Sequence, residues 1–187
     1  MECLARYRAP LVKGIKCVAF SNDGEYVVAS GMDDNHSLAI YQWRSLGSGN
    51  QGGVIATGKG PRAAIWSLGF SPDDNEIVAT CTKEVNFYTF AKGMIKGKRG
   101  TGGKPGVVPC QAFVEETLYT GGHDGSIVEW SGRSVAKTMK AHDGLVYAMA
   151  ARTGTGAKGL VTGGKDGLVI VWRKEGGLAS SSLVRER

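Results

Sequence analysis

The stretch TGGKDGLVIVW at residues 162–172 decides the fold, together with its near-copy TGGHDGSIVEW at 120–130. Each copy passes from threonine through glycine and an acidic turn into an alternating strand that ends in tryptophan. A looser copy, SGMDDNHSLAIYQW at 30–43, keeps this order, whereas ATCTKEVNFYTF at 79–90 keeps the strand but lacks the acidic turn. The aromatic ends follow one another at steps of 47, 40 and 42 residues: Trp43, Phe90, Trp130 and Trp172. A repeat of about 40–45 residues built from short strands is typical of a β-propeller blade.

Within each copy, turn signals such as SNDG at 21–24 and KDG at 165–167 separate three short strand-forming runs. Since no segment carries a long apolar stripe of helical period, the sequence predicts an all-β fold in one domain, with about four blades of four antiparallel strands. The segments expected to supply the outer strands are LARYR at 4–8, VIAT at 54–57, SVAKTMK at 134–140 and LASSSLV at 178–184. The expected blade limits are 4–43, 54–90, 106–130 and 134–172.

The composition is that of one globular unit with a core, because 42% of the 187 residues are hydrophobic. The 29 glycines gather at strand ends, so they indicate turns and not low complexity. There is no apolar run of 18 residues and no apolar stretch near the start, so neither a membrane span nor secretion is predicted. The cysteines form no CxxC pair, which favours a reduced, intracellular setting: Cys3, Cys17, Cys81 and Cys110.

The net charge of +6 favours a partner with an acidic surface. The long single-sign run is AKGMIKGKRGTGGKPG at 91–106, which is rich in glycine and contains no acid. We expect a basic loop here, whose candidate partner-binding residues are Lys92, Lys96, Lys98, Arg99 and Lys104. The alternative is a solvated insertion that only aids solubility. Nucleic acid is disfavoured as the partner, because no aromatic side chains interleave the basic run to stack on bases.

The sequence predicts no enzyme, cofactor or metal site. Gly47, Gly49 and Gly52 match GxGxxG, but a strand-forming stretch follows them, and without a helix N-terminus there is no site for a pyrophosphate. The cysteines have no histidine at metal-ligand spacing. The motifs GxxxxGK[ST], HExxH and GxSxG do not occur.

The last unit resembles the repeats of WD-repeat proteins. The resemblance implies a buried network in which carboxylate, imidazole, hydroxyl and indole follow one another: Asp166, His142, Thr162 and Trp172. Partial copies are expected in the third unit at Thr120, Asp124 and Trp130, in the first at Ser30, Asp34 and Trp43, and in the second at Thr80. The alternative is that His142 and Asp166 form a catalytic dyad. A catalytic pair would occur once, however, and not as a decaying series.

Four stretches together are similar to the echinoderm microtubule-associated protein-like (EMAP-like) family, over roughly residues 11–173. They are CVAFSNDGEYVVASGMDDNHSLAIYQW, AIWSLGFSPDDNEIVATCTKEVNFYTF, PGVVPCQAFVEETLYTGGHDGSIVEW, and MKAHDGLVYAMA followed by LVTGGKDGLVIVW. The DDNH turn, the TCTKEVNFYTF strand and the KAHDG start of the last blade go beyond a generic WD pattern. The resemblance implies part of the first of two propellers, so we expect a larger ring that missing blades or other chains complete.

The same resemblance implies a function. Members of the family bind microtubules or soluble tubulin and are cytoskeletal. A non-enzymatic module that binds tubulin or microtubules, in the cytoplasm and at the cytoskeleton, is therefore expected. The alternative is a generic WD-repeat scaffold with an unrelated protein partner, in which case the resemblance reports the fold alone.

Overall fold

The computed structural model describes residues 10–11, 13–43, 53–103, 105–152, 158–175 and 182–185. Sixteen β-strands lie in these ranges, and no helix is formed within them. The predicted all-β fold is confirmed. The chain divides into two compact units, unit 1 with Met1–Ala79 and Asn86–Lys98, and unit 2 with Thr80–Val85 and Arg99–Arg187.

The strands form four arrays of four, which we call blades 1 to 4. Blade 1 contains β1 (Ile15–Phe20), β2 (Tyr26–Gly31), β3 (Leu38–Gln42) and β4 (Val54–Gly58). Blade 2 contains β5 (Ile65–Phe70), β6 (Ile77–Cys81), β7 (Val85–Ala91) and β8 (Met94–Arg99). Blade 3 contains β9 (Cys110–Val114), β10 (Thr117–Gly121), β11 (Ser126–Ser131) and β12 (Ser134–Lys140). Blade 4 contains β13 (Val146–Arg152), β14 (Gly159–Gly164), β15 (Val169–Glu175) and β16 (Ser182–Arg185).

Neighbouring strands in blades 1, 3 and 4 pair antiparallel in chain order. Blades 1 and 2 share one eight-stranded sheet, in the order β1-β2-β3-β4-β8-β7-β6-β5, while blades 3 and 4 are separate sheets. One parallel pair, Thr57 with Met94, joins β4 to β8. Gly58 permits this approach, because an added Cβ would lie 2.7 Å from the Cβ of Ile95.

Serine and aspartate side chains shape the first turn of blades 1 and 2. In blade 1 the Ser21 hydroxyl donates to Asp23 Oδ1 at 2.6 Å and accepts from the amide five residues later at 2.8 Å. In blade 2 Ser71 makes the same two contacts, with Asp73 Oδ1 at 2.5 Å and the amide five residues later at 2.9 Å. Such side-chain bonds to the local backbone favour turns over continued strand, which is why SNDG and SPDDN end the first strands.

Asp74 links these two turns inside unit 1. Its Oδ1 accepts from the Asn22 amide at 2.7 Å and from Asn22 Nδ2 at 2.8 Å, and its Oδ2 accepts from the Asp23 amide at 3.0 Å. Asp74 has a φ of 56°, in the left-handed region that aspartate tolerates better than most residues. The carboxylate therefore holds the turns of blades 1 and 2 together.

Unit 2 is built around an apolar core that blades 3 and 4 share. Its buried members are Val114, Tyr119, Ile127, Leu160, Ile170, Trp172 and Leu183. At the inner strands, the Cys110 thiol donates to the Val146 carbonyl, with sulfur and oxygen 3.3 Å apart. Burial of one large apolar side chain contributes about 1.5–3 kcal/mol, so this core stabilises unit 2.

The pairing of the outer strands differs from the predicted blade limits by one strand. VIAT at 54–57 and SVAKTMK at 134–140 were placed at the starts of blades, but β4 pairs with β3, and β12 pairs with β11. Each closes the blade whose strands precede it. Only Gly132 and Arg133 separate β11 from β12, and a turn this short returns the next strand along its predecessor. The predicted limits of blades 2 and 4 therefore begin one strand too early.

The basic segment 91–106 is a hairpin for half of its length, and not the predicted loop. Ala91 ends β7, Lys92 and Gly93 form the turn, and β8 follows directly. Both turn residues have positive φ, 49° and 79°, as a two-residue hairpin turn requires. The segment supplies the outer strand of blade 2.

Several predicted features lie outside the described residues: LARYR at 4–8, Cys3, Gly47, Gly49, Gly52 and Lys104. The end of LASSSLV forms β16, which pairs with β15 and closes blade 4.

Candidate functional site

The polar side chains of blade 4 lie within hydrogen-bond distance of one another, in the order that the sequence predicts. His142 Nδ1 lies 2.9 Å from Asp166 Oδ1, and His142 Nε2 lies 2.8 Å from Thr162 Oγ1. The Trp172 indole Nε1 donates to the same Thr162 oxygen at 3.0 Å. His142, Thr162 and Trp172 are at most 7% exposed, so the network lies inside unit 2.

Two strands and two connections of blade 4 each contribute one member of this network. His142 lies in the connection before β13, Thr162 on β14, Asp166 in the next turn and Trp172 on β15. The residue that pairs with Thr162 stands two positions before Trp172, so both side chains lie on one face of the sheet. Gly164 leaves room for the imidazole, because an added Cβ would lie 2.3 Å from His142 Nδ1.

One tautomer of His142 satisfies every member. With its proton on Nδ1, the ring donates to Asp166, and Nε2 accepts the hydroxyl proton of Thr162. The Thr162 oxygen in turn accepts from Trp172. This proton placement is assigned from the hydrogen-bond pattern. A buried network in which every group is paired favours a single side-chain geometry, whereas an incomplete one is destabilising.

Asp166 is a carboxylate at neutral pH. Burial opposes its charge, but hydrogen bonds from the Asp143 amide, His142 and the Leu168 amide hold its pKa at about 2, below the ordinary 3.8. The two amides lie 3.0 and 3.1 Å from the carboxylate oxygens. The charged form is therefore available to accept the Nδ1 proton.

This geometry gives His142 and Asp166 no catalytic role. The His142 side chain is 0% exposed, and both ring nitrogens are occupied, so no open atom remains to exchange a proton with a substrate. No group of three His, Cys, Asp or Glu side chains among the described residues is arranged to hold a metal.

Among the described residues, Cys17, Cys81 and Cys110 form no disulfide. Burial raises the pKa of Cys110 to about 11 and also raises that of Cys17, so both favour the unreactive thiol over the thiolate. In the part of the chain that the structure describes, no helix has the length and apolarity needed to cross a bilayer.

Blade 3 keeps the threonine–tryptophan contact without a histidine. Trp130 Nε1 donates to Thr120 Oγ1 at 3.0 Å, as in blade 4. Asp124 Oδ1 accepts instead from the hydroxyl of Ser126 at 2.5 Å and from its amide at 3.1 Å. The Ser126 hydroxyl is the main cause that lowers the pKa of Asp124. The aspartate of blade 3 thus closes its own turn through Ser126.

Blade 1 departs from the predicted network at its tryptophan. Ser30 is buried and accepts from the Cys17 amide at 3.2 Å. Trp43 Nε1, however, donates to the Gly24 carbonyl at 2.5 Å and not to Ser30. The predicted Ser30–Trp43 pair is therefore replaced by two bonds to the backbone.

Strand register explains why Trp43 is not part of a network with Ser30. In blades 3 and 4 the tryptophan stands two residues after the partner of the threonine. In blade 1 Ser30 pairs with Leu38, so the fully buried Ile40 takes that position. Trp43 comes three residues later and meets Phe20 edge-on, with ring centroids 5.7 Å apart. The sequence shows this difference as a longer spacing. The first copy has three more residues between Ser30 and Trp43 than the last copy has between Thr162 and Trp172.

Asp33, and not the predicted Asp34, shapes the turn of blade 1. Asp33 is 7% exposed, and its Oδ1 accepts from the Asn35 amide and the Ser37 hydroxyl, both at 3.0 Å. Burial opposes its charge, but these bonds lower the pKa of Asp33 below its ordinary value. The Asp34 side chain is 91% exposed and pairs with Lys13 at 2.9 Å. Asp34 is therefore part of a surface ion pair.

Blade 2 lacks the network. Thr80 is fully buried, and its hydroxyl has no hydrogen-bond partner among the described residues. The Cys81 amide donates to the Glu84 carbonyl at 2.9 Å, which closes a turn of two residues, Thr82 and Lys83. The turns of the other blades are longer and place an aspartate beside the strand ends. The short turn of blade 2 leaves no position for one.

The basic residues of 91–106 separate into two groups. Lys92, Lys96 and Lys98 belong to unit 1 and are all exposed. Because side chains alternate along a strand, Met94, which is 53% exposed, shares one face of β8 with Lys96 and Lys98. We call Lys92, Met94, Lys96 and Lys98 the lysine face.

Arg99 has other contacts, which lie inside unit 2. Its Nε lies 3.5 Å from Glu84 Oε2, and its Nη2 donates to the Lys83 carbonyl at 3.0 Å. Arg99 therefore stabilises the turn of blade 2.

Two blade faces expose apolar side chains. On β1, Cys17 faces β5 with its sulfur 3.6 Å from the Trp66 carbonyl, so Val18 and Phe20 lie on the opposite face, where they are 64% and 62% exposed. On β15, Val169 is 75% and Val171 37% exposed, on the face away from the buried core. We call these the open face of blade 1 and the open face of blade 4.

Comparison with known proteins identifies the fold. The family model "WD domain, G-beta repeat" matches residues 1–41 and 133–173. The solved structure of the computationally designed Ika4 protein matches with a TM-score of 0.69, over 92% of this chain and 98% of that one, at 20% identity. That likeness concerns the fold alone. With the four blades described above, these matches identify a WD-repeat β-propeller segment.

The curated relatives carry EMAP-like names. Echinoderm microtubule-associated protein-like 4 of Xenopus laevis is 30% identical, and the match covers 86% of this chain and 19% of the relative. Echinoderm microtubule-associated protein-like 2 of Rattus norvegicus and echinoderm microtubule-associated protein-like 1 of Homo sapiens are each 29% identical, and each match covers 86% of this chain. The chain spans about a fifth to a quarter of the length of these relatives. None is named for an enzymatic activity, and the resemblance found in the sequence is confirmed.

Proposed function

Because the chain is a WD-repeat segment of the EMAP-like type, we propose that it is a non-enzymatic module that binds tubulin or microtubules, at the cytoskeleton in the cytoplasm. The observation that carries the proposal is the set of relatives named as microtubule-associated protein-like, which match 86% of this chain. A repeat platform suits this role, since stacked blades present an extended surface to a protein partner without a reactive site.

The lysine face is the surface that we assign to this contact. It presents three exposed ammonium groups from one hairpin, Lys92, Lys96 and Lys98, on a chain whose net charge is +6. The exposed Met94 between them adds apolar contact area. The acidic tails of tubulin are the complementary surface. Attraction between exposed charges is screened beyond about 8 Å at physiological ionic strength, so the contact should weaken as salt rises.

Co-sedimentation with microtubules tests this surface. We expect the triple variant Lys92→Ala, Lys96→Ala, Lys98→Ala to bind at least roughly 3-fold more weakly, because three rim charges of about 0.2–1 kcal/mol each contribute about 0.6 kcal/mol or more together. The matched control removes three other exposed positive charges, by Lys137→Ala, Lys140→Ala and Lys165→Ala. Equal loss in the two variants would show a net-charge effect and exclude the lysine face as the specific contact.

A second experiment distinguishes the proposed function from the alternative, a generic WD-repeat scaffold with an unrelated partner. Pull-down with tubulin is compared with pull-down by an unrelated acidic protein at several salt concentrations. Preference for tubulin supports the proposal. Equal capture by both, with the same salt dependence, supports a non-specific contact and leaves the scaffold function.

We further propose that blades from elsewhere in a longer chain cover the open faces of blades 1 and 4. The exposure of Val18, Phe20 and Val169 supports this, as does the small share of each relative that the chain spans. Uncovered apolar faces and strand edges associate with other chains. We expect the 187-residue chain to self-associate in size-exclusion chromatography with light scattering, and Phe20→Lys with Val169→Lys to reduce this. A sharp monomer peak with cooperative melting of the unsubstituted chain would contradict the proposal.

A further inference from the structure

A cavity of about 160 Å³ lies beside the Thr120–Trp130 pair of blade 3, inside unit 2. The lining residues that matter here are Gly106, Thr120, Gly122, Asp124, Ser126 and Trp130. Four of them carry hydrogen-bonding side chains: Thr120, Asp124, Ser126 and Trp130. The imidazole of His123 also lines the cavity and packs against Gly106, where an added Cβ would lie 2.2 Å from its Nδ1. Apolar side chains such as Val108, Val128 and Val135 complete the lining, so the cavity is a small slot that combines polar groups with apolar walls.

Blade 4 shows what such a slot holds. Thr120, Gly122, Asp124 and Trp130 each stand 42 residues before the residues that surround the imidazole of His142: Thr162, Gly164, Asp166 and Trp172. The Thr–Trp bond has the same length in both blades, 3.0 Å. The wall of the slot is thus the wall of a histidine site, and blade 3 has no histidine in the connection before its first strand.

We propose that this slot binds an imidazole group. One ring N–H donates to the Asp124 carboxylate, and the second ring nitrogen accepts the hydroxyl proton of Thr120. Blade 4 realises the same pair of contacts with His142, at 2.9 and 2.8 Å.

The hydrogen-bond capacity of the slot fits this ligand. Thr120 Oγ1 accepts from Trp130, and its hydroxyl proton has no acceptor among the described residues. Asp124 Oδ1 is occupied by Ser126, but Oδ2 accepts no hydrogen bond within the described part of the chain. The slot thus offers one acceptor and one donor, the complement of a neutral imidazole.

The size of the slot also fits. A cavity of about 150 Å³ in another protein holds a six-membered aromatic ring, and imidazole is smaller. The chemistry is shared by two sources, a free imidazole compound and a histidine side chain of a partner protein. A group of five heavy atoms binds with a dissociation constant on the order of 1 to 10 mM, and a partner would add further contacts.

The test is an imidazole titration of the full chain, followed by the indole N–H resonances of its four tryptophans in ¹H–¹⁵N spectra. Single Trp→Phe substitutions assign the resonances. We expect the Trp130 signal to move saturably, while the Trp172 signal stays in place because His142 already fills its site. Trp172 is thus an internal control. No saturable shift at Trp130, or equal shifts at both, would overturn the proposal.

Two controls examine the contacts. 1-Methylimidazole lacks the N–H donor, and we expect it to bind at least roughly tenfold more weakly. Equal affinity would refute the role of Asp124. Asp124→Ala removes the acceptor of the ring N–H and should abolish imidazole binding while the Trp172 signal keeps its position, which shows that the variant is folded. Retained binding in that folded variant would contradict the proposal.

A further arm separates the two sources. N-Acetylhistidine methylamide is titrated in the same way. Binding as tight as that of imidazole shows that a histidine attached to a backbone can enter the slot, which favours a partner protein. Exclusion of this compound, with imidazole bound, favours a free small molecule.

Discussion

Blades 3 and 4 share the same threonine–tryptophan bond, but only blade 4 completes it with histidine. In blade 4 His142 connects Thr162 to Asp166, so turn and strands form one buried network. In blade 3 Asp124 bonds to its own turn, and a cavity of about 160 Å³ remains beside Thr120. The Thr–Trp bond is therefore the part that the two blades have in common. The histidine is an addition that couples the turn to it.

The largest expected difference between the blades comes from removing each threonine hydroxyl at nearly constant volume. Thr162→Val leaves both His142 Nε2 and the Trp172 indole without their partner and should lower the free energy of unfolding by about 2–4 kcal/mol. Thr120→Val removes the acceptor of one indole and should cost about 1–2 kcal/mol. Urea denaturation of the full chain measures both. Equal costs would mean that the histidine adds no coupling in blade 4.

Acid should separate the two aspartates. The pKa of Asp166 is held at about 2 in the folded chain, below the ordinary 3.8, so its ionised form stabilises the fold above about pH 4. This contribution is lost as the pH falls from about 4 through 2, because the unfolded chain takes up the proton first. Denaturation across this window should therefore show a weaker pH dependence for Asp166→Asn than for the unsubstituted chain.

The matched variant in blade 3 is Asp124→Asn. We expect a smaller change in the pH dependence, because the hydrogen bonds that lower the pKa of Asp124 come mainly from one residue, Ser126. A change as large as that of Asp166→Asn would contradict the difference between the two blades.

Blade 1 extends the comparison with the smallest effects. Asp33→Ala removes the acceptor of the Asn35 and Ser37 bonds and should destabilise the chain by about 1–2 kcal/mol, as for loss of a helix or turn cap. Asp34→Ala removes one exposed ion pair with Lys13 and should change stability by less than about 0.5 kcal/mol. Thermal and urea unfolding measure the pair. A larger loss of stability for Asp34→Ala than for Asp33→Ala would show that Asp34, and not Asp33, stabilises the turn.

Local signals gave the strands and most of blade 4 correctly. The predicted turns SNDG at 21–24 and KDG at 165–167 each separate two strands, β1 from β2 and β14 from β15, because alternation and turn residues act over a few positions. The WD-repeat resemblance predicted the network, and three of its members, Thr162, Asp166 and Trp172, lie on one hairpin. His142 is 20 residues from Thr162 and was placed only by the WD-repeat resemblance.

Turn chemistry and strand period are local properties, so the sequence was sufficient to predict a series of four-stranded units. The WD-repeat resemblance added the Thr–Trp bond in the last two. The tertiary structure alone decided which blade each outer strand closes, that Ile40 replaces Trp43, and that Asp33 replaces Asp34. It also decided that blade 3 contains a slot. These outcomes depend on strand register and on the space between side chains far apart in the chain, and neither is encoded in any one segment.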